Sequence, residues 1–188
     1  MVRGWGLPAS TPELHVRHLQ RWDLGTPYHV IVDDVCRLMG PESPLWGARL
    51  IFDRSGVGRA VGDMLFTARQ QGRIGATPWG KTITGGEKAG PGTTPKKDLM
   101  AALQLPIQQG RFRIAQGLPL GDVLERELTS FKMRLSQSGA QSFDIARHEG
   151  QGHGDLVIAC ALAVINPEFG VRPRVAEFGD VHPEAVEA

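Results

Sequence analysis

A short apolar run that ends in an acid and passes directly into a glycine-rich turn constrains the fold of this chain more than any other feature. Residues 48–53, ARLIFD, form the run, which is typical of a strand buried on both faces of a sheet. The turn is residues 54–58, RSGVG, and apolar residues then recur at helical spacing through Val61, Met64, Leu65 and Ala68. A strand, a glycine-rich turn and a helix in this order predict the βα unit of an α/β fold.

The residues on either side add further elements to this unit. Alternating side chains predict a strand over residues 13–22, and Thr26-Pro27 predicts the N-cap and first residue of a helix that ends before Gly40. The elements predicted after the βα unit are strands over 79–84 and 111–115, a glycine-rich loop over 85–92, helices over 96–109 (opened by Thr94-Pro95) and 119–131, a hairpin over 132–146 and a final helix over 155–165.

Composition limits the classes of protein to which this chain can belong. With 24 Gly and 13 Pro among 188 residues, loops are abundant and a long helical bundle is disfavoured. The longest apolar run, residues 156–165, is too short for a membrane-spanning helix, which needs about 20 residues. Residues 1–15 lack the apolar core of a secretory signal. We therefore expect Cys36 and Cys160 to be reduced core thiols and the protein to be cytoplasmic.

Charge is distributed unevenly along the chain. The net charge is only +1, but the last twelve residues carry four acids and no Lys or Arg. We expect a flexible arm over residues 1–12, one folded domain over 13–165 and an acidic tail over 166–188. Between Lys81 and Arg113, six basic residues outnumber two acids. This excess suits a polyanionic partner such as nucleic acid, and it equally suits a solvated basic loop.

Residues 75–82, GATPWGKT, match the phosphate-binding P-loop pattern GxxxxGK[ST]. A working P-loop follows a buried strand and opens a helix, because the helix N-terminus helps to hold the phosphates. Here the polar segment 69–73 precedes the match and Ile83-Thr84-Gly85 follows it. A chance match in a glycine-rich chain is therefore the better interpretation.

Two carboxylates occupy positions that suit metal ligands. Asp53 ends the apolar strand, where burial of an unpaired charge would be expensive, so a metal ion or the amides of the following turn should compensate it. Asp155 opens the last helix, where the helix dipole keeps a carboxylate ionised; this suits a metal ligand and an ordinary N-cap alike. His153 is a candidate accessory ligand or proton carrier, although a histidine in such a turn is commonly just exposed to solvent.

Five segments in register resemble the C-terminal nuclease domain of tailed-phage terminase large subunits. They are LIFDRSGVGRAVGDML (50–65), TITGG (82–86), TPKKDLMAALQLPIQQGRFRIAQGLPL (94–120), LERELTSFKMRLS (124–136) and HGDLVIACALA (153–163). The resemblance implies a ribonuclease H-like fold, in which helices flank a mixed sheet and an acidic cluster binds Mg²⁺ or Mn²⁺. It also implies an endonuclease that cuts double-stranded DNA during genome packaging, encoded by a phage or prophage and acting in the bacterial host.

The resemblance also assigns roles to individual residues. Asp53 matches the acid of a D-x-[ST]-G-x-G strand end and Asp155 the acidic pair before the last helix, and both would be catalytic metal ligands. Lys96 and Lys97 match a P-K-x-[DE]-L motif and, with Arg54 and Lys81, would contact DNA, since phosphates are bound by Lys, Arg and helix N-termini. An ATPase motor or a portal-type packaging protein would be a partner.

Three departures from the family pattern qualify this interpretation. Gly154 stands where the family has the first of two adjacent acids, and no strand of the form G-x-D-x-G precedes Glu13. The ATPase motor is also missing, so we expect a domain that begins at its third strand and self-associates through the exposed sheet edge. Two alternatives remain: a non-catalytic DNA-binding or assembly module on the same fold, and a junction-resolving or transposase-like nuclease.

Overall fold

Five strands and five helices make up the part of the chain that the structure describes. This structure, a computed structural model, describes residues 12–85, 89–90, 92–137 and 154–165, with the backbone alone for 131–137. In chain order the elements are β1 (Leu14–Val16), α1 (Tyr28–Leu38), β2 (Leu50–Asp53), α2 (Gly58–Gln70), β3 (Pro78–Thr84), β4 (Thr93–Pro95), α3 (Lys96–Gln108), β5 (Phe112–Ile114), α4 (Gly121–Gln137) and α5 (Asp155–Val164).

The strands form two parallel sheets with helices packed against them, which confirms an α/β fold. One sheet has the order β2-β3-β4, and the other pairs β1 with β5. All three ladders are parallel, so no antiparallel ladder joins the described strands and the single mixed sheet that we predicted is not observed among them. Because β2, β3 and β4 run in one direction, their carboxyl ends lie at one edge of their sheet, which we call the carboxyl edge.

The alternation of side chains along β2 divides the core into two layers. Leu50 and Phe52 pack against a buried cluster from α1, α2 and the segment before β3. Ile51, on the other face, packs with Ile83 of β3 against a cluster from α3, α4 and α5. Since side chains two residues apart point to the same face of a strand, the face of β2 that carries Ile51 also carries Asp53.

Helix α5 lies at the centre of the second layer. Its buried residues are Leu156, Val157, Cys160, Ala161 and Leu162, and the helix packs against α3, α4 and β2. The prediction of an apolar helix covered on most sides is therefore confirmed. Cys160 and Cys36 are buried and unpaired, as expected, and no helix among the described residues is long and apolar enough to cross a membrane.

Strand β1 is much shorter than the strand predicted over residues 13–22. Among the described residues it pairs only with the three-residue strand β5, and the chain beyond Val16 leaves the sheet to meet α1. There the Trp22 indole N–H donates a 2.8 Å hydrogen bond to Asp34, and the Gln20 amide donates to the same carboxylate at 3.3 Å. These side-chain bonds hold residues 20–22 against α1, whereas the alternation of side chains over residues 13–22 had predicted a continuous strand.

Helix α4 continues into the segment predicted as a hairpin. Residues 132–137 of that segment are helical, and residues 138–146 lie outside the described part of the chain. The hairpin prediction was wrong over 132–137 because the sequence KMRLSQ is mostly unbranched residues that favour a helix, and the turn signal begins only at Ser138.

Two helix starts also differ from the prediction. Helix α1 begins after Pro27, and the Thr26 hydroxyl donates to the carbonyl of Asp23 instead of capping the helix. Thr94 and Pro95 belong to β4, so α3 begins directly at the end of a strand, with no side-chain cap. The helices themselves lie where their periodicity predicted them.

Candidate functional site

Asp53 stands at the carboxyl end of β2 and is exposed to solvent. The expectation that its charge is buried was therefore wrong. The expectation that amides of the following turn bind its carboxylate is confirmed, because the backbone N–H of Ser55 donates a 2.8 Å hydrogen bond to Oδ1. Among the described residues no hydrogen bond is made to Oδ2. The turn thus orients one carboxylate oxygen, and the described residues leave the other without a hydrogen bond.

The turn after Asp53 is fixed against the neighbouring strand. The N–H of Arg54 donates to the carbonyl of Lys81 at 2.8 Å, and the N–H of Ile83 donates to the Ser55 hydroxyl at 3.1 Å. At Gly58, the first residue of α2, an added Cβ atom would lie 2.0 Å from the carbonyl oxygen of Asp53. Only glycine permits this approach, which sets the start of α2 directly against the end of β2.

Lys81 is the ladder partner of Asp53 on β3, and it shares the face of the sheet that carries Asp53. Lys81 lies in the middle of β3, which continues to Thr84, so no helix begins directly after the match and the P-loop pattern is a chance one. The Lys81 amine lies 4.5 Å from the centre of the Trp79 ring, and the guanidinium carbon of Arg49 lies 5.7 Å from the same centre. Among the described residues, no ion pair joins Lys81 to Asp53.

Arg54 lies on the opposite face of the sheet from Lys81. An added Cβ atom at Gly80 would lie 3.0 Å from Cδ of Arg54 and 2.9 Å from the ring of Phe52. The Phe52 ring itself contacts Gly62 of α2. The structure therefore separates the predicted DNA-binding residues: Lys81 is on the α5 side of the sheet, and Arg54 is on the α2 side.

Lys96 and Lys97 open α3, directly after β4. Thr84 at the end of β3 pairs with Pro95, so these lysines begin at the same carboxyl edge that carries Asp53. Two strand spacings, about 10 Å, separate β2 from β4, and the Thr84–Pro95 pair lies three residues, about 10 Å, farther along the strands than the pair of Asp53 and Lys81. A helix N-terminus with adjacent basic side chains attracts anions because its amides point outward and its dipole is positive there.

Asp155 is the first residue of α5 and is exposed. The residue at the N-cap is Gly154, in the left-handed region at φ 74°, and no side chain caps the helix. Asp155 is therefore not an ordinary N-cap, and among the described residues no hydrogen bond or ion pair is made to its carboxylate. Since α5 packs on Ile51 of β2, the helix that carries Asp155 lies on the face that carries Asp53. His153 lies outside the described residues.

The donor chemistry of these two acids fits a hard divalent cation. Mg²⁺ takes oxygen ligands, keeps several waters and is commonly held by one or two carboxylates together with substrate phosphates. Asp53 and Asp155 offer two exposed carboxylates of that kind. Within the described ranges, no three His, Cys, Asp or Glu side chains cluster closely enough to hold a metal by themselves. Waters and phosphate oxygens would have to complete the coordination.

No protein-family model, curated protein or solved structure matches this chain. Its function therefore has to be inferred from the residues of the site.

Sequence reasoning missed Trp79 and Arg49, which lie beside the predicted residues. Trp79 lies two residues before Lys81 on β3, and Arg49 immediately precedes β2. The alternation of an aromatic and a basic residue along β3 was the available signal. It could be interpreted only once the ladder that pairs Ile51 with Trp79 was known.

A second concave region lies between α1 and α2, on the other side of the sheet. This groove has a volume of about 340 Å³ and includes His29, Asp33, Asp63 and Arg73 in its lining. The Arg73 guanidinium donates a 2.7 Å hydrogen bond to Asp33, and this bond lowers the pKa of the Asp33 carboxyl. Asp33 already has a cationic partner, so this groove is a weaker candidate for a metal site than the carboxyl edge.

Proposed function

We propose that this chain is a metal-dependent endonuclease domain of the type found in terminase large subunits, with a ribonuclease H-like fold and double-stranded DNA as its substrate. The observation that carries the proposal is the composition of the carboxyl edge. An exposed, turn-oriented Asp53 lies there next to Lys81, at the same edge as the basic start of α3. Carboxylates for a cation beside lysines for phosphates are what hydrolysis of a phosphodiester requires.

Asp53 and Asp155 would hold Mg²⁺ or Mn²⁺ in this proposal. When bound, such an ion neutralises charge on the phosphate and lowers the pKa of a water so that it can attack phosphorus. The Ser55 N–H donates to Oδ1 of Asp53, which restrains the carboxylate and leaves Oδ2 for the ion. Asp155 would supply its exposed carboxylate from the first residue of α5.

The basic side chains would bind the DNA backbone around the scissile phosphate. Lys81 lies on the face of the sheet that carries Asp53, and Lys96 and Lys97 approach from the start of α3. Arg54 lies on the α2 side of the sheet, so it would contact a phosphate farther along the duplex. Contacts of this kind fix the position of DNA without reading its sequence.

The same resemblance supports proposals about partners and origin. The chain would be encoded by a phage or prophage and would work in the bacterial cytoplasm with an ATPase motor or a portal-type packaging protein. Within the described part of the chain, β2 pairs on one side only. Its other edge is therefore the one through which self-association by strand pairing would occur.

A non-catalytic DNA-binding or assembly module on the same fold is the second candidate. Two observations favour it: Gly154 replaces an acid of the family pattern, and the described residues include no cluster of three metal-ligating side chains. Such a module would keep the lysines of the carboxyl edge and bind DNA without cutting it.

Cleavage of DNA separates the two candidates. Supercoiled and linear DNA are incubated with the full chain and Mn²⁺ or Mg²⁺, beside Asp53→Asn and the control Asp63→Asn, which changes an exposed acid on α2. The endonuclease proposal predicts cleavage by the native chain and the control, and a loss of about a hundredfold or more in Asp53→Asn, because removal of a metal ligand costs several kcal/mol of transition-state stabilisation. Absence of cleavage by the native chain, or equal cleavage by Asp53→Asn, would overturn it.

A further inference from the structure

Lys81 and Asp53 are ladder partners of opposite charge that do not form an ion pair. Side chains of ladder partners on neighbouring strands start about 5 Å apart, and a lysine is long and flexible enough to reach such a carboxylate. The Lys81 amine instead lies 4.5 Å from the centre of the Trp79 ring, two residues back along its own strand. An ammonium group within about 6 Å of an indole centre is attracted by the negative face of the ring.

We propose that Trp79 is a positioning residue that holds Lys81 away from Asp53 and so keeps the carboxylate available for a divalent cation. This inference rests on the proposed function, since it concerns the cation that Asp53 would bind. Trp79 touches neither the cation nor the substrate in this account. Its effect on the site is to hold the amine of Lys81 against its ring.

Lys81 can make one of two weak interactions of similar strength, an ion pair with Asp53 or a cation–π contact with Trp79. An exposed ion pair is stabilised only modestly because water screens it and two side chains must be ordered. A cation–π contact at an exposed site is of comparable strength, and indole is the best ring for it. Lys81 and Trp79 lie on the same face of β3 two residues apart, so their contact needs little ordering of the lysine chain, and the half-buried ring is already in place.

Arg49 contributes a second positive charge to the same ring. Its guanidinium carbon lies 5.7 Å from the ring centre, and Arg49 immediately precedes β2. The ring therefore lies close to two cationic groups, those of Lys81 and Arg49. A metal ion that approaches Asp53 therefore meets a carboxylate that Lys81 does not neutralise.

The first test measures binding of Mn²⁺ alone to the full chain by titration calorimetry. Trp79→Leu removes the ring and lets Lys81 turn to Asp53, so we expect Mn²⁺ affinity to fall roughly two- to fivefold, the change that corresponds to an exposed ion pair. Trp79→Phe keeps an aromatic face and stays close to the native affinity. The double variant Trp79→Leu/Lys81→Gln recovers it, because the competing amine is gone. Unchanged affinity in Trp79→Leu, or a loss that persists in the double variant, overturns the inference.

The second test needs no metal and no loss of the tryptophan. Side-chain NMR resonances of Lys81 are compared in the native chain and in Asp53→Asn. The ring holds the amine, so we expect the Lys81 methylene protons next to the amine to be shifted upfield and to change little on Asp53→Asn. A large response of these protons to Asp53→Asn means that Lys81 already pairs with the acid, and the inference fails. If this result is as expected but the native chain binds no Mn²⁺, the proposed function fails while the role of Trp79 as the site that holds Lys81 stands.

Discussion

The backbone of Gly58 lies directly against the carbonyl of Asp53, so close that a Cβ atom at position 58 would be 2.0 Å from that oxygen. The turn between β2 and α2 is tight because position 58 has no side chain. The end of the strand that carries the candidate ligand and the start of the helix that packs behind it are therefore one structural unit.

This contact predicts a large effect of a single methyl group. Gly58→Ala must push α2 away from β2, and we expect a loss of about 1–3 kcal/mol in the free energy of unfolding, as for other overpacked sites. Gly85→Ala is the matched control, because nothing lies within 4 Å of its added Cβ atom. Urea denaturation of the two variants measures the difference; equal stability would mean that the β2–α2 turn is not packed as described.

The core between α3, α4 and α5 predicts a contrast between two leucines of one helix. Leu99 is 0 % exposed, whereas Leu105 on the same helix is 53 % exposed. Leu99→Ala should cost about 2–5 kcal/mol because it leaves a cavity, while Leu105→Ala should stay within about 0.5 kcal/mol of the native stability. Thermal or urea unfolding checks this, and similar losses for both variants would contradict the packing of α3 against α5.

Burial raises the pKa of the Cys160 thiol to about 11, with a further contribution from the charge of Glu127. The folded chain therefore keeps this proton at a pH where the unfolded chain, with a thiol pKa near 9.0, releases it. Stability linked to this group is fully present below pH 9 and is lost as the pH rises toward 11, with a slope of at most about 1.4 kcal/mol per pH unit. Cys160→Ala should remove that slope, which unfolding curves at pH 8 to 10.5 measure. An identical pH dependence in both proteins would show that the thiol titrates normally.

The lysines that open α3 predict a change in the salt dependence of DNA binding. If Lys96 and Lys97 each neutralise one phosphate, their joint replacement by Gln lowers the slope of log K against log salt by about 2, since each contact contributes about 0.9. Arg69→Gln, at the end of α2, is the control that should leave the slope unchanged. Fluorescence anisotropy of labelled duplex DNA without metal measures the three slopes. If the double lysine variant has the same slope as the native chain, Lys96 and Lys97 do not contact DNA phosphates.

Local sequence patterns predicted most elements of the fold. The features that they missed depend on contacts between residues far apart in the chain. The strand that ends in Asp53 and the helix after it follow from residues that are neighbours in sequence. The early end of β1 depends on Asp34, which lies on another element and accepts the bond from Trp22. No periodicity within residues 13–22 carries that information.

The candidate site was predictable in its acids and less so in its basic residues. Asp53 and Asp155 stand out because each begins or ends an apolar element. Arg54 and Lys81 look alike in the sequence, yet the ladder puts them on opposite faces of one sheet. Which face a residue takes depends on strand register, and register between β2 and β3 depends on contacts about 28 residues apart in the chain.

Paramagnetic broadening by Mn²⁺ tests most directly whether Asp53 and Asp155 hold one cation together. Amide resonances of Ser55 and Leu156 are followed while Mn²⁺ is added to the native chain and to Asp53→Asn. A shared site predicts that both resonances broaden at the same Mn²⁺ concentration in the native chain and that neither broadens at that concentration in Asp53→Asn. Broadening of Leu156 that survives in Asp53→Asn, or broadening of only one resonance in the native chain, would contradict a common metal site.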